Sequence, residues 1–299
     1  MSKLYLLFLL LIPGVCLSQD SLSVLSWNIQ MLPIIKREGR KARANAIVNQ
    51  LNKRNYDLII FQEIFHKHSR KIITEGLKAK YPHTTPILNK KFATIKTNGG
   101  VMIFSRHPIK TIHEIKYSER TGIDRMSRKG ALMTEINFNG KLVQVVGTHL
   151  QAFGEQPIMY AQYQQLASDL LDRYKKEGVP QLICGDFNTI KVIPPKLPDD
   201  ISQTFIARLA RYDYLLSTLR ALDGDLDGDQ QFTMDRPYND LCVSRKEYRL
   251  LLDYAFLRPN GLIGYSIKRK VQIIRQRWSP EHEDLSDHFG LEAVLMFKD

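Results

Sequence analysis

Six apolar runs in this chain end in, or lead into, a side chain able to act as an acid, a base or a metal ligand. They are Trp27-Asn28, Gln62-Glu63, Gly147-Thr148-His149-Leu150, Gly185-Asp186-Phe187-Asn188, Leu252-Asp253-Tyr254 and Ser286-Asp287-His288. A strand ending in Asn, Glu, Asp or His delivers that group to a sheet edge. Six such endings in one chain call for a fold that brings several strand ends to one rim.

Apolar, β-rich runs recur over residues 22–29, 56–61, 101–104, 131–138, 142–148, 181–184, 249–257 and 291–297, several of them bounded by Gly, Pro or Asn as strands are. Between them, residues 37–53 and 157–174 repeat aliphatic side chains at three- and four-residue spacing, which predicts helices, and a third helix is expected over 201–219. Strands alternating with helices argue for an α/β class, while Phe138-Asn139-Gly140-Lys141 is a hairpin signal that makes part of the sheet antiparallel. A mixed α/β (α+β) sandwich of two sheets flanked by helices satisfies both. Neither internal repeats nor a linker long enough to divide the chain interrupts it, so one catalytic domain over 19–299 is expected.

The 299 residues are enough to bury a substantial core. Lys and Arg number 43 against 31 Asp and Glu, a net charge of +12. That surface favours anionic partners, nucleic acid or acidic headgroups, without choosing between them, and it also serves solubility alone. Residues 4–12 form an apolar run preceded by Lys3 and followed by Pro13, Gly14 and Cys16-Leu17-Ser18. The run is too short to span a bilayer and has the layout of a secretory signal peptide over 1–18, so the protein is expected to be secreted or periplasmic. Lipoprotein anchoring through Cys16 is the alternative, disfavoured by the bulky Val15 before it. Export would permit a disulfide between Cys184 and Cys242. Cys184 lies in an apolar run, however, where a thiol behaves as a small hydrophobe, and a free pair is the expectation.

The order and content of the motifs resemble the endonuclease/exonuclease/phosphatase superfamily, with its deoxyribonuclease-I-like fold, from about Ser21 to the C-terminus. Within it, the chain is most similar to bacterial neutral sphingomyelinases. That likeness rests on residues 27–33 and 61–65, on Asp124 followed by Ser127, Lys129 and Gly130, on His149-Leu150-Gln151-Ala152, and on Thr233-x-Asp235 with Asn239. The resemblance implies a four-layer sandwich and a metal-dependent phosphodiesterase that cleaves sphingomyelin to ceramide and phosphocholine at a membrane surface, with no obligate protein partner.

The roles follow from residue chemistry and the resemblance together. Asp186 and Asn188, two apart in an extended segment, face the same way. The resemblance assigns Asn188 to a phosphoryl oxygen and Asp186 to the attacking water or the leaving side. Glu63 ends an apolar run, where a carboxylate suits a hard divalent cation. Asn28 and Asp287 join it by resemblance, which implies Mg2+, with Mn2+ or Co2+ as substitutes. His288 is the expected general base, since imidazole accepts a proton near neutral pH. Asp253, rather than its chain neighbour Asp287, is expected to orient it. The resemblance gives His149 the transferring phosphoryl group or leaving oxygen, and gives Asp124, Lys129, Asp235 and Asn239 to substrate binding.

Two departures from the pattern are visible. Some relatives carry an aromatic membrane hairpin before Ser-Asp-His; here residues 266–283 are basic, with Trp278 the sole aromatic, so an electrostatic surface with one anchor is expected. Gln162 stands where related sequences often have arginine.

The rivals are a secreted nuclease, tracking phosphates with Lys36, Arg37, Arg40, Lys41, Arg43 and residues 268–277, and a noncatalytic lipid-binding or toxin-like module. Asp223, Asp225 and Asp227, with Gly228 at the sixth position, resemble a Ca2+ loop, but Met234 replaces the twelfth-position Glu; a solvated acidic turn is the other reading.

Overall fold

The computed structural model describes residues 20–33, 39–91, 96–152, 155–192, 199–242, 249–261 and 264–297. The expected leader over 1–18, with Cys16, lies outside these residues, as do Lys36 and Arg37. The first half of the chain runs β1 (Ser21–Asn28), α1 (Arg40–Asn52), β2 (Leu58–Gln62), α2 (Lys67–Leu77), β3 (His83–Thr84), β4 (Met102–Ser105), β5 (Ile109–Lys116), β6 (Gly130–Phe138) and β7 (Lys141–His149). The second half adds α3 (Gln156–Gln165), β8 (Gln181–Asp186), α4 (Asp199–Leu219), β9 (Leu222–Asp223), β10 (Asp225–Asp227), β11 (Met234–Asp235), β12 (Arg249–Leu250), β13 (Asp253–Arg258), β14 (Tyr265–Gln272) and β15 (Gly290–Phe297).

A seven-stranded sheet of order β10-β14-β15-β1-β2-β4-β3 packs against a six-stranded sheet of order β5-β6-β7-β8-β13-β9. Alternation along each strand explains the layers. Val24 and Ile60 meet Val145 and Cys184 between the sheets, while Leu25 and Phe61 turn outward onto Ala44 and Ile47 of α1 and Ile73 of α2. On the far side Val146, Ile183 and Phe256 pack under Met159 and Tyr163 of α3 and Leu215 of α4. With both faces covered, the central strands read as unbroken apolar runs. The result is a mixed α/β fold of two large sheets and flanking helices.

The Asn139-Gly140 turn takes φ of 49° and 85°, the left-handed pair that a two-residue hairpin demands, and Phe138 pairs with Lys141 across it. Gly130 is required sterically, since a Cβ there would stand 1.9 Å from the Ile115 carbonyl oxygen. The run over 249–257 is not one strand. Thr233 Oγ1 accepts from the amides of Leu252 at 3.1 Å and Asp253 at 3.3 Å, and this breaks the run into β12 and β13. The helix expected over 157–174 ends its α winding at Gln165 and continues as a π-helix, Leu166–Asp172.

The acidic segment does not form a calcium loop. Asp223 lies on β9 in one sheet and Asp225 and Asp227 on β10 in the other. Asp223 is committed to Lys191 at 2.8 Å, to Arg269 at 2.5 Å and to Tyr212. The two described cysteines, Cys184 and Cys242, are free.

Candidate active site

Strand register assembles the site. Parallel pairing of β7 with β8 sets His149 opposite Asp186, and antiparallel pairing of β8 with β13 sets Asp186 opposite Asp253. Parallel pairing of β1 with β2 sets Asn28 opposite Gln62, one residue before Glu63. The Ser286-Asp287-His288 segment leads into β15, beside β1. Trp27 Nε1 donates to the His288 carbonyl at 2.8 Å and Ser286 Oγ to the Asn28 carbonyl at 2.6 Å, stitching the two segments together. Arg43 of α1, 1% exposed, donates to the Leu285 carbonyl at 2.8 Å and the Gln30 carbonyl at 2.9 Å from beneath.

These ends enclose a cavity of about 220 Å3, whose lining includes Asn28, Glu63, His149, Asp186, Asn188, Asp287 and His288. Three of its neighbouring non-glycine residues hold left-handed backbone, Gln30 at φ 50°, Glu63 at 55° and Asn188 at 48°. Such strain concentrates where a surrounding structure fixes side chains for function. Asn28 Nδ2 donates to Asp186 Oδ2 at 3.1 Å, and Gln30 Nε2 donates to Asp287 Oδ2. Asn188 is turned by its own amide, which donates to Asp186 Oδ1 at 3.0 Å.

His288 Nδ1 meets Asp253 Oδ2 at 2.8 Å, which leaves Nε2 for the cavity. Burial alone would lower this imidazole, but the Asp253 carboxylate, with Asp186 and Asp287 behind it, holds it well above its ordinary value. His149 behaves oppositely. Burial, then Lys129 and His288, keeps it well below its ordinary value and neutral. Lys129 Nζ, which can only donate, lies 3.0 Å from His149 Nε2, so the ring hydrogen belongs on Nδ1. That Nδ1 is buried and has no hydrogen-bond partner among the described residues.

Enclosure and the nearby Asp287 carboxylate push Glu63 up to about 7, and burial beside Asp253 pushes Asp186 up to about 6. Carboxylates that resist sharing negative charge are a donor set completed by a cation, and oxygens from Glu63, Asp287 and the Asn28 amide fit a hard divalent ion. Ligand atoms of Asp186, Asp253 and His288 also lie within 4.8 Å of one another. His288 Nδ1 is already engaged by Asp253, which makes that trio a proton-handling unit rather than a cation cage.

The four residues expected to bind substrate divide. Lys129, 3% exposed, sits 3.0 Å from Asp124 Oδ2, and Asp124 Oδ2 also accepts from the Ala152 amide at 2.8 Å, so this pair lies against His149. Asp235 and Asn239 do not line the cavity. Arg249 grips Asp235 with Nε at 3.0 Å and Nη2 at 2.6 Å, and Asn239 Nδ2 donates to the Ser286 carbonyl at 2.9 Å. They brace the loops that carry the site. Gln162 is equally structural, accepting from the Gln151 amide at 2.9 Å. Sequence reasoning missed Arg236, which lines the cavity, and the bracing role of Thr233, whose carbonyl accepts from the Phe289 amide at 2.7 Å. Neither leaves a periodic signal.

The basic runs also differ from expectation. Among the described residues of the two runs, Arg43 is buried, Arg269 pairs with Asp223, and Arg275 pairs with Asp284 at 2.6 Å, so these three arginines are not free to track phosphates. Residues 265–272 are β14 within the large sheet, and Trp278 is packed on the core with Nε1 donating to the Asp284 carbonyl at 2.7 Å. It is not free to serve as an anchor.

The family model described as the endonuclease/exonuclease/phosphatase family matches residues 25–288. The chain belongs to that family. It is 30% identical over 196 residues to a phospholipase C of Staphylococcus aureus, an alignment spanning 58% of each chain. It is 29% identical over 314 aligned positions to a sphingomyelinase C of Bacillus cereus, spanning 93% of this chain and 90% of that one. Among solved structures, a beta toxin mutant from Staphylococcus aureus with bound magnesium ions superposes with a TM-score of 0.77 at 22% identity, covering 94% of this chain and 100% of the other.

Proposed function

We propose that this protein is a metal-dependent phosphoric diester hydrolase that cleaves sphingomyelin, or a closely related choline phospholipid, into ceramide and phosphocholine. The observation that carries this reading is the His288–Asp253 pair, 2.8 Å apart, held in register beside Asp186 and His149 and across from Glu63. The names of the Staphylococcus aureus and Bacillus cereus relatives favour a phospholipid over nucleic acid. The buried or paired arginines of the two basic runs support the same choice.

Glu63, Asp287 and Asn28 would hold the cation, with Mg2+ the natural choice and Mn2+ or Co2+ able to replace it; when bound it offsets the phosphate charge. The protein's own groups do the rest. With the charge of the surrounding carboxylates offset by the cation, His288 would be released as the neutral base, so that its Nε2 takes a proton from water as that water attacks phosphorus in line, while Asp253 fixes the tautomer and steadies the imidazolium. His149, a neutral imidazole whose Nε2 lies 3.5 Å from Asp186 Oδ2, would stand beside the transferring phosphoryl group or its leaving oxygen. Lys129 fixes the tautomer of that ring by donating to Nε2. Asn188 supplies an amide N–H to the phosphoryl oxygen, and Asp186 orients Asn28 and Asn188. No covalent intermediate enters.

The apolar leader suggests export, to the periplasm or medium, and peripheral action at a membrane surface. The test is product analysis: with magnesium, sphingomyelin should yield phosphocholine and ceramide, and His288→Ala should reduce the yield at least about 10^2-fold. Rapid DNA cleavage with no lipid turnover would instead make the protein a nuclease.

A further inference from the structure

We propose that lipid enters this protein over an aliphatic ridge on the 3-10 turn Gly122–Met126, and that the cleft behind the ridge holds the alkyl part of the substrate. The inference deepens the phospholipase reading above and rests on it.

Ile123 is 75% exposed and Met126 44%, on a turn whose Asp124 is buried. In a 3-10 helix, residues three apart eclipse, so Ile123 and Met126 form one apolar ridge while Asp124 turns inward to Lys129. Behind the ridge lies a cleft of about 260 Å3 whose apolar wall is Leu32, Pro33, Phe65, Ile123 and Met126, with Glu63 and the mutually paired Asp124 and Lys129 also in its lining. Glu63 and Ala152 line both this cleft and the catalytic cavity, so the two adjoin. A mainly aliphatic wall with one aromatic ring suits an alkyl chain better than a quaternary ammonium, which is caged by several aromatic faces.

The rim has matching charge. Thr97 donates to the Met126 carbonyl at 2.9 Å and Arg128 to the Asn98 carbonyl at 3.2 Å, which joins residues 96–98 to the turn and sets exposed Lys96 and Arg125 at its flanks. Cations around an aliphatic tip fit the plane of lipid phosphates above acyl chains. The turn also carries Asp124, the partner of Lys129 beside His149, so a buried ion pair ties the lipid-facing ridge to the catalytic rim.

The experiment compares turnover of sphingomyelin in vesicles with turnover of a water-soluble phosphocholine ester, in the full chain carrying Ile123→Ser and Met126→Ser together. Burial of two aliphatic side chains predicts that the vesicle-to-soluble rate ratio falls at least about tenfold. Flotation with sphingomyelin vesicles should weaken in parallel. Ile273→Ser, which removes an aliphatic side chain 44% exposed elsewhere, should leave the ratio as it is. An unchanged ratio in the double variant, or an equal loss from Ile273→Ser, overturns the proposal. Should the wild type hydrolyse neither substrate, the phospholipase reading fails by itself. Flotation then decides the ridge: weaker binding by the double variant keeps it, and equal binding removes it.

Discussion

Lys129 places its nitrogen 3.0 Å from Asp124 Oδ2, His149 Nε2 and the Leu150 carbonyl, inside a wall that admits almost no water. Its removal should act on stability and rate by separate routes. Lys129→Met strands a buried carboxylate, at a cost of about 3–5 kcal/mol, whereas Asp124→Asn with Lys129→Met relieves most of that cost. Calorimetry should therefore find the double variant near wild-type stability. Its turnover should stay low, because nothing then fixes the His149 hydrogen on Nδ1. Recovery of rate along with stability would contradict this role. At the opposite wall, His288→Ala and Asp253→Asn should each lower kcat by about 10^2–10^4 with an intact fold, as expected when a general base or its orienting carboxylate is lost; steady-state kinetics on the soluble ester reads this directly.

Thr233 works at the scale of elements. Its hydroxyl ends the β12–β13 run and its carbonyl holds the amide after His288, so one residue sets both partners of the proton-handling pair. Thr233→Val leaves two buried amides without their acceptor, a loss of about 1–3 kcal/mol for each, and should lower the melting temperature and kcat together. A variant that melts early but keeps its kcat would show that the bend does not position Asp253. Strand ends bearing chemistry were legible from sequence because an apolar run that stops at Glu63, His149 or Asp253 has no packing reason to stop there. Asp235 and Asn239 are expected at the substrate by resemblance, and the bracing role of Thr233 is invisible, since hydrogen bonds to distant loops leave no periodic trace. β14 was hidden for another reason: Arg269 occupies an inward position between Ile267 and Val271, breaking the alternation, and Asp223 together with the Gly224 carbonyl makes that tolerable.

Across the whole molecule, the site is an acidic cluster inside a chain of net charge +12. Glu63 at about 7 and Asp186 at about 6 lie above the ~4 of carboxyls in an unfolded chain. At these two carboxyls the folded metal-free protein therefore holds more protons, and their contribution to stability falls as pH rises from about 4 towards 7. A cation replaces those protons, so the rise in melting temperature caused by magnesium should be larger near about pH 8 than near about pH 6, and EDTA should erase it. A magnesium effect that grew on acidification would place the cation elsewhere. The fold class was readable because both sheets are buried on two sides and the helices are periodic. The surface was not, because Arg43, Arg269 and Trp278 are counted as exposed by composition and packed by geometry.

The central claim is that an imidazole-activated water attacks phosphorus in a lipid phosphodiester. Hydrolysis of sphingomyelin with magnesium in 18O-labelled water, read by mass spectrometry, tests it most directly. Phosphocholine carrying one solvent oxygen and unlabelled ceramide are expected, with product from His288→Ala reduced at least about 10^2-fold. Label in the ceramide alcohol, or undiminished product from His288→Ala, would contradict it.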